Sequence, residues 1–322
     1  MDVKLKLGLI GVGHLGKIHL TCILQLPQID FIGFYDENVN TRENISAEFN
    51  VRAFHSIEEL LSEVDAVDIV TPTNSHFTIA AQAIQAGKHC FIEKPVTSTL
   101  GEARELKSLL TNLELKLQVG HVERFNPAFL SAKGSIHNPK FIEAHRLATF
   151  NPRGTDVSVV HDLMIHDLDL ISLMAKSEIK ELRASGVSIV SKQADICNAR
   201  IEFENGLVAN VTASRISMKQ MRKIRIFQED AYISLDLMKK ESQLIKLLDE
   251  PMENVLELET FKGKKYISLE NPKINPVNAI LEEIRSFYQS IVNNTQTEVN
   301  LDDGIRALTL VHAIVEQIER PK

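Results

Sequence analysis

The sequence predicts an α/β fold: an N-terminal doubly wound parallel sheet, followed by an α+β domain with a largely antiparallel sheet. Two observations lead to this prediction. Before residue 120, short apolar segments alternate with helical patterns, and strands joined in this way pair in parallel through right-handed crossovers. From residue 179 to residue 269 strand-like segments follow one another directly, which favours antiparallel pairing. We therefore expect a boundary near Gly120, with domains at 1–120 and 121–322.

The first domain is predicted to contain five strands and the helices that connect them. The strands are KLKLGLI, FIGFY, AVDIV, HCFIE and LKLQVG, the short VRAF is a further extended segment, and helical patterns cover residues 14–26, 40–49, 56–63, 75–87 and 99–111. Gly87 is suited to end its helix because glycine adopts the left-handed cap conformation without strain. Short apolar runs of this kind are typical of strands covered on both faces.

The second domain is predicted to be mainly β. A helical segment near 126–136 leads into the strand FIEAHRLATF, and the segments 204–206 (ENG) and 262–264 (KGK) are hairpin signals. Two helices, 276–293 and 301–319, close the chain. A proline near the start of the first helix and two aspartates in the first turn of the second favour these starting points.

Composition and charge argue against several functional classes. Of 322 residues, 44% are hydrophobic and 25% are charged, as in globular proteins. The formal net charge of −7 argues against a nucleic-acid binder, which would carry a basic excess. The N-terminal MDVKLKLGLIGVG resembles neither a secretion signal nor a membrane span. The 3 cysteines are far apart and suit reduced thiols as small buried hydrophobes, so we expect a cytoplasmic protein.

A glycine loop follows the first strand and opens the first helix. Gly11-x-Gly13-x-x-Gly16 allows a tight turn, close approach of the backbone to a pyrophosphate, and close helix–strand packing. Asp36 lies at the end of the next strand, where a carboxylate accepts hydrogen bonds from an adenosine ribose and repels a 2′-phosphate. A merely flexible turn is the alternative. The strand–turn–helix context favours a dinucleotide site that prefers NAD to NADP, with Asn38 or Arg42 able to modify that preference.

Two further strand ends are expected at the same edge of the sheet, where ligands of doubly wound folds bind. AVDIV runs into residues 71–76 (TPTNSH), and HCFIE runs into Glu93-Lys94-Pro95. The alternatives are that Asn74 or Ser75 caps a helix, and that Glu93 and Lys94 form an exposed ion pair. A lysine desolvated beside a nicotinamide could instead donate a hydrogen bond to a substrate oxygen and help a hydroxyl to lose its proton.

These residues and Asp162-x-x-x-His166 occur in the order typical of the Gfo/Idh/MocA oxidoreductases, which the chain resembles over essentially its whole length. The resemblance implies a Rossmann domain and a second α/β domain whose open, mostly antiparallel sheet often forms homodimers or homotetramers. It implies Lys94, Asp162 and His166 as catalytic residues, the histidine serving as acid/base. We expect NAD to contact Gly11, Gly13, His14, Leu15, Gly16, Asp36, Thr71, Pro72, Asn74, His76, Glu93 and Lys94.

Within this family, GHVERFNPAF and DVSVVHDLMIHDLDL look most similar to the sugar-nucleotide branch. That branch includes UDP-N-acetylglucosamine 3-dehydrogenases, which supply a 3-keto intermediate for 3-amino sugars in lipid A. One departure concerns the substrate floor: many relatives have glycines before the D-x-x-x-H segment, whereas here the residues are 158–161 (SVVH). The alternatives are a dehydrogenase of a free polyol or sugar such as inositol, and a non-catalytic NAD-binding regulator.

The stretch VVHDLMIHDLDL (159–170) concentrates ligand-type side chains on a predicted helix. At 100° per residue, Asp162, His166 and Asp169 share one face, while His161 and Asp167 point elsewhere. A metal site would use those three, with His76 as a fourth ligand, but a common helical zinc pair has histidines four apart and here they are five apart. A polar helix edge is the other alternative. We favour acid/base chemistry and predict no metal.

The predicted mechanism follows from charge movement. His166 takes the proton of a sugar hydroxyl as hydride leaves the same carbon for the nicotinamide. Lys94 hydrogen-bonds that oxygen and stabilises the developing alkoxide. Asp162 orients the histidine or holds a neighbouring hydroxyl, and Asp169 either does the same or belongs to the polar edge.

A nucleotide-linked substrate also needs cations for its diphosphate. Arginine suits phosphate because its planar fork donates two hydrogen bonds. The substrate-binding residues that we expect are Lys94, Arg124, Asn126, Asp162 and His166, and the further cationic candidates are Arg146, Arg153, Arg215, Lys219, Arg222, Lys223 and Arg225. A solvated strand edge or an oligomer interface explains the run from 215 to 225 at least as well.

Overall fold

The computed structural model of the protein describes residues 4–111, 113–151, 157–252, 255–261 and 263–319. The chain divides into two compact units. The first consists of Met1–Val122 with Asn278–Leu308, and the second of Glu123–Val277 with Thr309–Lys322. The division after Val122 lies close to the predicted boundary, but the return of the chain to the first unit is not part of the predicted division.

The first unit is built on a five-stranded parallel sheet in the order β2-β1-β3-β4-β5, which confirms the predicted fold class. Its strands are β1 (Leu5–Ile10), β2 (Ile29–Tyr35), β3 (Ala66–Ile69), β4 (His89–Glu93) and β5 (Leu117–Gly120), and its first helices are α1 (His14–Ile23), α2 (Val39–Phe49), α3 (Ile57–Glu63), α4 (Thr73–Gln85) and α5 (Leu100–Leu110). The segment VRAF forms a single bridge from Ala53 to Phe34 and not a strand. From β1 the chain adds β2 on one side and then β3, β4 and β5 on the other, so the topological switch point lies between β1 and β3. Doubly wound sheets bind ligands at this point, beyond the carboxyl ends of their strands.

The second unit is built on a nine-stranded sheet in the order β13-β14-β12-β11-β10-β6-β9-β8-β7. Its elements are α6 (Pro127–Ala132), β6 (Phe141–Leu147), α7 (Ile165–Ala175), β7 (Ile179–Val187), β8 (Ile196–Phe203), β9 (Val208–Ser214), β10 (Met221–Phe227), β11 (Ala231–Asp236), β12 (Glu241–Leu248), β13 (Leu256–Thr260) and β14 (Gly263–Glu270). Only the β6–β9 pair among the described strands of this sheet is parallel, so the predicted antiparallel character is confirmed. Gly206 and Gly263 have positive φ at two hairpins; Lys262 of the second lies outside the described residues.

The closing helices are α8 (Ala279–Val292) and α9 (Leu301–Glu319). We predicted α8 in the second domain, but Ile284 and Phe287 pack with Leu7 and Phe91 in the core of the first unit. The amphipathic pattern of a helix shows that one face is buried, but not which sheet covers it. None of the described helices is long and apolar enough to cross a membrane. All three cysteines are free and buried, as predicted.

Candidate functional site

The glycine loop between β1 and α1 has the geometry that a bound pyrophosphate requires. Gly11 has φ +90°, and a Cβ at Gly16 would lie 2.1 Å from the carbonyl oxygen of Gly11. A Cβ at Gly13 would meet no heavy atom within 4 Å, so the space in front of the α1 N-terminus is open. No side chain caps that end of α1, and its first turn holds no acid. Its N–H groups are therefore available to an anion, and the residues present fit a dinucleotide.

Asp36 stands at the carboxyl end of β2 and is held by the backbone. Its Oδ2 accepts a hydrogen bond from the N–H of Val12 at 2.9 Å, and its Oδ1 accepts one from Asn38 at 3.0 Å. Both oxygens keep further acceptor capacity for ribose hydroxyls. Arg42 donates to the Asp36 carbonyl at 2.6 Å, so its guanidinium is anchored beside the carboxylate.

A cleft of about 970 Å³ runs along this edge of the first sheet. Ten of the residues predicted to contact NAD line it: Gly11, Gly13, His14, Leu15, Asp36, Thr71, Pro72, Asn74, Glu93 and Lys94. Gly16 packs behind it against Gly11. Thr41 and Ile57, and also Ser75, Thr78 and Gln82 on α4, line the cleft without having been predicted as cofactor contacts. The last three are spaced i, i+3 and i+7, a helical periodicity that marks one face and could have identified them.

His76, which we predicted as a cofactor contact, is not among the residues that line the cleft. The ring is buried, with Nδ1 at 2.8 Å from the carbonyl oxygen of Pro95 and Nε2 at 2.8 Å from that of Thr71. Burial lowers the pKa of His76, although the two carbonyls, which only accept hydrogen bonds, oppose the shift. The ring thus lies between the loops that follow β3 and β4, and a neutral imidazole donates a hydrogen bond to one of the two carbonyls.

The start of α4 does not use the side-chain cap that we considered as an alternative. The helix begins at Thr73 after Pro72, with no side-chain cap, so neither Asn74 nor Ser75 has the capping role that we considered. The Ser75 hydroxyl instead donates a hydrogen bond within the same loop, where Thr71 Oγ1 and the Pro72 carbonyl oxygen each lie at 2.8 Å. Asn74 lines the cleft.

Glu93 and Lys94 do not form the exposed ion pair that we considered. The Glu93 side chain is buried, its Oε2 accepts the backbone N–H of Lys94 at 2.9 Å, and its Oε1 lies 3.2 Å from His19 Nε2. His19 and Lys94 outweigh the effect of burial and hold the pKa of Glu93 below its usual value. The carboxylate therefore faces into the protein, while Lys94 lines the cleft.

In the second unit, the segment 159–170 is not one regular α-helix. Val160–Met164 forms a π-helical turn that continues into α7. Asp162 and His166 are half-buried, whereas Asp169, which we predicted on the same face, is fully buried. Single π turns occur frequently at functional sites. This one contains Asp162 and lies just before His166, the two residues of the predicted acid/base pair.

Two buried ion pairs account for both α7 aspartates. Arg124 donates from Nε and Nη2 to Asp169 at 2.8 and 2.6 Å. Arg146 donates to Asp167 at 2.8 and 2.9 Å and to Glu123 at 2.9 Å. Asp167 and Glu123 outweigh burial and raise the pKa of Arg146. The guanidinium forks that we expected to hold a diphosphate therefore face carboxylates inside the unit, and Asp169 is not a solvated helix edge.

Asn126 also has an internal role. Its amide nitrogen donates to Glu123 at 2.8 Å and to the Leu237 carbonyl at 2.9 Å. Its amide oxygen accepts the N–H of Ala128 and so caps α6. These contacts occupy the side chain that we expected to bind substrate.

Two cations of the predicted basic run, residues 215 to 225, are matched by acids from neighbouring strands. Arg225 pairs with Glu143 at 3.0 Å and Lys223 with Asp236 at 3.5 Å, although the run itself contains no acid. Arg215 is buried and donates to the Val157 carbonyl at 2.7 Å. Arg153 lies outside the described residues. The cross-strand pairs favour the alternative of a strand surface over a diphosphate site for these two residues.

Side chains with metal-ligand spacing occur at a different place from the one considered for a metal. Among the described residues such a group is formed by His19, Glu93 and Glu283, whose ligand atoms lie within 4.8 Å of one another. Asp162, His166 and Asp169 form no such group within the part of the chain that the structure describes.

Comparison with known proteins agrees with this geometry. The family model for the Gfo/Idh/MocA oxidoreductase family, NAD-binding Rossmann fold, matches residues 5–121, and the model for a C-terminal domain of that family matches 130–234. The chain is 44% identical over 238 residues to UDP-N-acetylglucosamine 3-dehydrogenase of Acidithiobacillus ferrooxidans, covering 73% of this chain and 75% of that one.

Solved structures show the same fold. A structure of the Acidithiobacillus ferrooxidans enzyme superimposes with a TM-score of 0.89 and 35% identity over 98% of both chains. Scyllo-inositol dehydrogenase from Lactobacillus casei, with bound NAD(H) and scyllo-inositol, gives a TM-score of 0.79 at 21% identity over 98% of this chain and 97% of that chain. The chain therefore belongs to the Gfo/Idh/MocA family of oxidoreductases, whose NAD-binding Rossmann domain is its first unit.

Proposed function

We propose that the protein oxidises the 3-hydroxyl of UDP-N-acetylglucosamine, or of a related sugar nucleotide, to a ketone with NAD as the oxidant. The observation that carries this proposal is the similarity to UDP-N-acetylglucosamine 3-dehydrogenase, which extends through most of both chains. Inositol dehydrogenases are less similar, with 22% identity over 337 residues for the Thermotoga maritima enzyme. The 3-keto product suits an aminotransferase, so we propose a role in making amino sugars for lipid A or a surface polysaccharide.

The roles of the residues follow from proton and charge movement. The nicotinamide, when bound, accepts the hydride from the sugar carbon. His166 takes the hydroxyl proton, and its half-buried place beside the π turn leaves the ring accessible to a substrate. Lys94 lines the cleft and donates to the same oxygen, stabilising the negative charge that develops there. Asp162 orients His166 or holds a neighbouring hydroxyl.

The reaction is tested with UDP-N-acetylglucosamine that carries deuterium on C3. The protein is incubated at substrate-level concentration with NAD, and both nucleotides are analysed by mass spectrometry. We expect a sugar nucleotide that has lost deuterium and one proton, and an NADH that has gained the deuterium. Because product is measured directly, a cofactor that stays bound and recycles does not hide the reaction.

Myo-inositol, scyllo-inositol and free hexoses provide the comparison. Oxidation of one of these with no change in the sugar nucleotide would replace the proposed substrate with a free polyol or sugar. Binding of NAD with no oxidation of any compound would favour a non-catalytic NAD-binding regulator.

Asp36 is the residue that we propose favours NAD over NADP. Asp36→Asn keeps acceptor oxygen for the Val12 N–H but removes the charge that repels a 2′-phosphate. We expect the ratio of kcat/KM for NADP to that for NAD to rise by about tenfold, which corresponds to about 1.4 kcal/mol. Steady-state kinetics with both cofactors measure the ratio. Glu37→Gln is the control, because it removes a neighbouring negative charge. An equal rise of the kcat/KM ratio in Glu37→Gln would show that Asp36 has no specific role in the choice of cofactor.

The open sheet of the second unit is the proposed surface for a homodimer or homotetramer. Leu256, Leu258 and Leu269 on β13 and β14 expose apolar side chains to solvent. Such residues at a sheet edge are stabilised when a second copy covers them. Light scattering after size-exclusion chromatography gives the mass, and a monomer would contradict the proposal.

A further inference from the structure

Four ionisable side chains meet beneath the Glu93–Lys94 turn in the interior of the first unit. They are His19 on α1, Asp68 on β3, Glu93 on β4 and Glu283 on α8, with exposed fractions of 0%, 1%, 7% and 0%. We call them the acid–histidine cluster. Burying four ionisable groups costs free energy unless they share charges and hydrogen bonds. The cofactor and substrate roles described above use only Glu93 from this cluster.

The contacts of the cluster form a continuous chain that ends at Lys94. Asp68 Oδ2 lies 2.8 Å from His19 Nδ1, and His19 Nε2 lies 3.2 Å from Glu93 Oε1. The other oxygen of Glu93 accepts the backbone N–H of Lys94 at 2.9 Å. A Cβ at Gly120 would lie 2.7 Å from Glu93 Oε1, so the neighbouring strand confines that carboxylate. Asp68 is thus connected through His19 and Glu93 to the backbone of Lys94.

The charges of the side chains favour the contacts of His19 with Asp68 and Glu93. Because both ring nitrogens of His19 face carboxylate oxygens, the doubly protonated imidazolium fits best between them. Burial opposes this charge, but Asp68 and Glu93 outweigh it and raise the pKa of His19 well above its usual value. An imidazolium here makes a charge-assisted hydrogen bond with Asp68, which is stronger than a neutral one, and lies at ion-pair distance from Glu93.

Glu283 completes the cluster, in a place that disfavours its charged form. Burial and the nearby Glu93 carboxylate raise the pKa of Glu283 well above its usual value. Its carboxyl oxygens make no hydrogen bond with other described residues, and one of them lies within 4.8 Å of the ligand atoms of His19 and Glu93. A carboxylic acid can donate one hydrogen bond to Glu93 without adding a third negative charge to the interior.

We propose that His19, Asp68 and Glu283 are positioning residues that lock the Glu93 carboxylate, which in turn fixes the backbone of Lys94 and aims its side chain into the cleft. The consequence for catalysis rests on the proposed function, because it requires Lys94 to contact the substrate oxygen. Lysine has a long flexible side chain, so a fixed backbone removes one source of misplacement. The positioning itself does not depend on which substrate is bound.

The first test replaces His19 with glutamine and compares it with His89→Gln. His89 lies at the opposite end of the same sheet, where its Nδ1 accepts the backbone N–H of Lys116. In His19→Gln we expect kcat to fall by about tenfold or more, because small misplacements of a reacting group can cost up to ~10²-fold. KM for NAD should stay within about twofold, since the glycine loop is unaltered. His89→Gln should match the wild type in both.

A substrate-independent readout accompanies the kinetics. The rate at which trinitrobenzenesulfonate modifies Lys94 in the whole protein is followed by peptide mass spectrometry, with and without NAD. We expect faster modification of Lys94 in His19→Gln than in the wild type or His89→Gln, because the amine is held less firmly. An unchanged labelling rate, or an unchanged kcat, would overturn the proposal. If the wild type does not oxidise UDP-N-acetylglucosamine, the proposed function fails, yet the labelling still decides whether Lys94 is positioned.

Glu283→Gln gives a second test that does not require His19 to be changed. An amide has a donor and an acceptor like a neutral acid, so we expect kcat and Lys94 labelling within about threefold of the wild type. The leucine of Glu283→Leu has neither a donor nor an acceptor. We therefore expect this variant to show a lower kcat and faster Lys94 labelling, as His19→Gln does. Elemental mass spectrometry of the purified wild type shows whether zinc or manganese is bound. Stoichiometric metal together with loss of activity in Glu283→Gln would overturn the proposal in favour of a metal site.

Discussion

Replacing His166 with asparagine is expected to lower kcat by about 10²-fold or more, because proton transfer by a positioned side chain contributes ~10²–10⁴-fold. Asparagine keeps hydrogen-bonding capacity and a similar size but cannot take the proton of the substrate hydroxyl. The affinity for NAD should change little, since the cleft lies on residues of the first unit, whereas His166 belongs to the second. Steady-state kinetics and calorimetric titration with NAD measure the two quantities.

His137→Asn is the matched control for this change. His137 is an exposed histidine of the second unit that pairs with Asp230 at 3.1 Å. It should keep wild-type kcat because exposed pairs contribute little to stability and it contacts none of the proposed site residues. A kcat for His166→Asn within about threefold of the wild type would remove His166 from the mechanism, since a general base contributes ~10²-fold or more.

Arg146→Met is expected to lower the free energy of unfolding by about 3–5 kcal/mol, because it leaves buried carboxylates without their partner. Arg146 is 3% exposed and contacts both Asp167 and Glu123. Methionine is similar in length and apolar, so the loss comes mainly from the uncompensated charges and not from an empty space. The chain has no tryptophan, so urea unfolding is followed by far-ultraviolet circular dichroism.

Arg225→Met is the control on the same sheet, since Arg225 pairs with Glu143 across the register of β6 and β10 but is half exposed. Its loss should cost about 1 kcal/mol or less, as for other solvent-screened pairs. The urea midpoint should fall in Arg146→Met and stay close to the wild type in Arg225→Met. Equal midpoints in the two variants would show that the buried pair does not stabilise the second unit.

The order of elements and one half of the candidate site could be predicted from the sequence because their signals are local. The alternation of apolar strands and helices indicated the parallel sheet, and the glycine loop with Asp36 indicated a dinucleotide cleft. Ten of the predicted cofactor residues line that cleft, since strand ends of a doubly wound sheet meet at one edge. His76 is not among the lining residues, since sequence shows that a residue is near a strand end but not where its ring points.

The buried ion pairs were beyond the reach of local patterns. Arg124 and Asp169 are 45 residues apart, and His19 and Asp68 are 49 apart. A helical wheel assumes 3.6 residues per turn, so it could not foresee the π turn at Val160–Met164. It also does not show which other elements enclose a side chain, so the burial of Asp169 with Arg124 was not foreseen. An arginine in the sequence is equally suited to a phosphate and to a carboxylate.

Local sequence therefore determined the strands, the helices and the phosphate-binding loop, because backbone conformation depends on neighbouring residues and on the period of apolar side chains. Tertiary structure alone decided that α8 returns to the first unit and brings Glu283 to Glu93 and His19. It also decided which arginines are enclosed with aspartates. The physical reason is that charge interactions depend on distance and burial in space, and neither follows from separation along the chain.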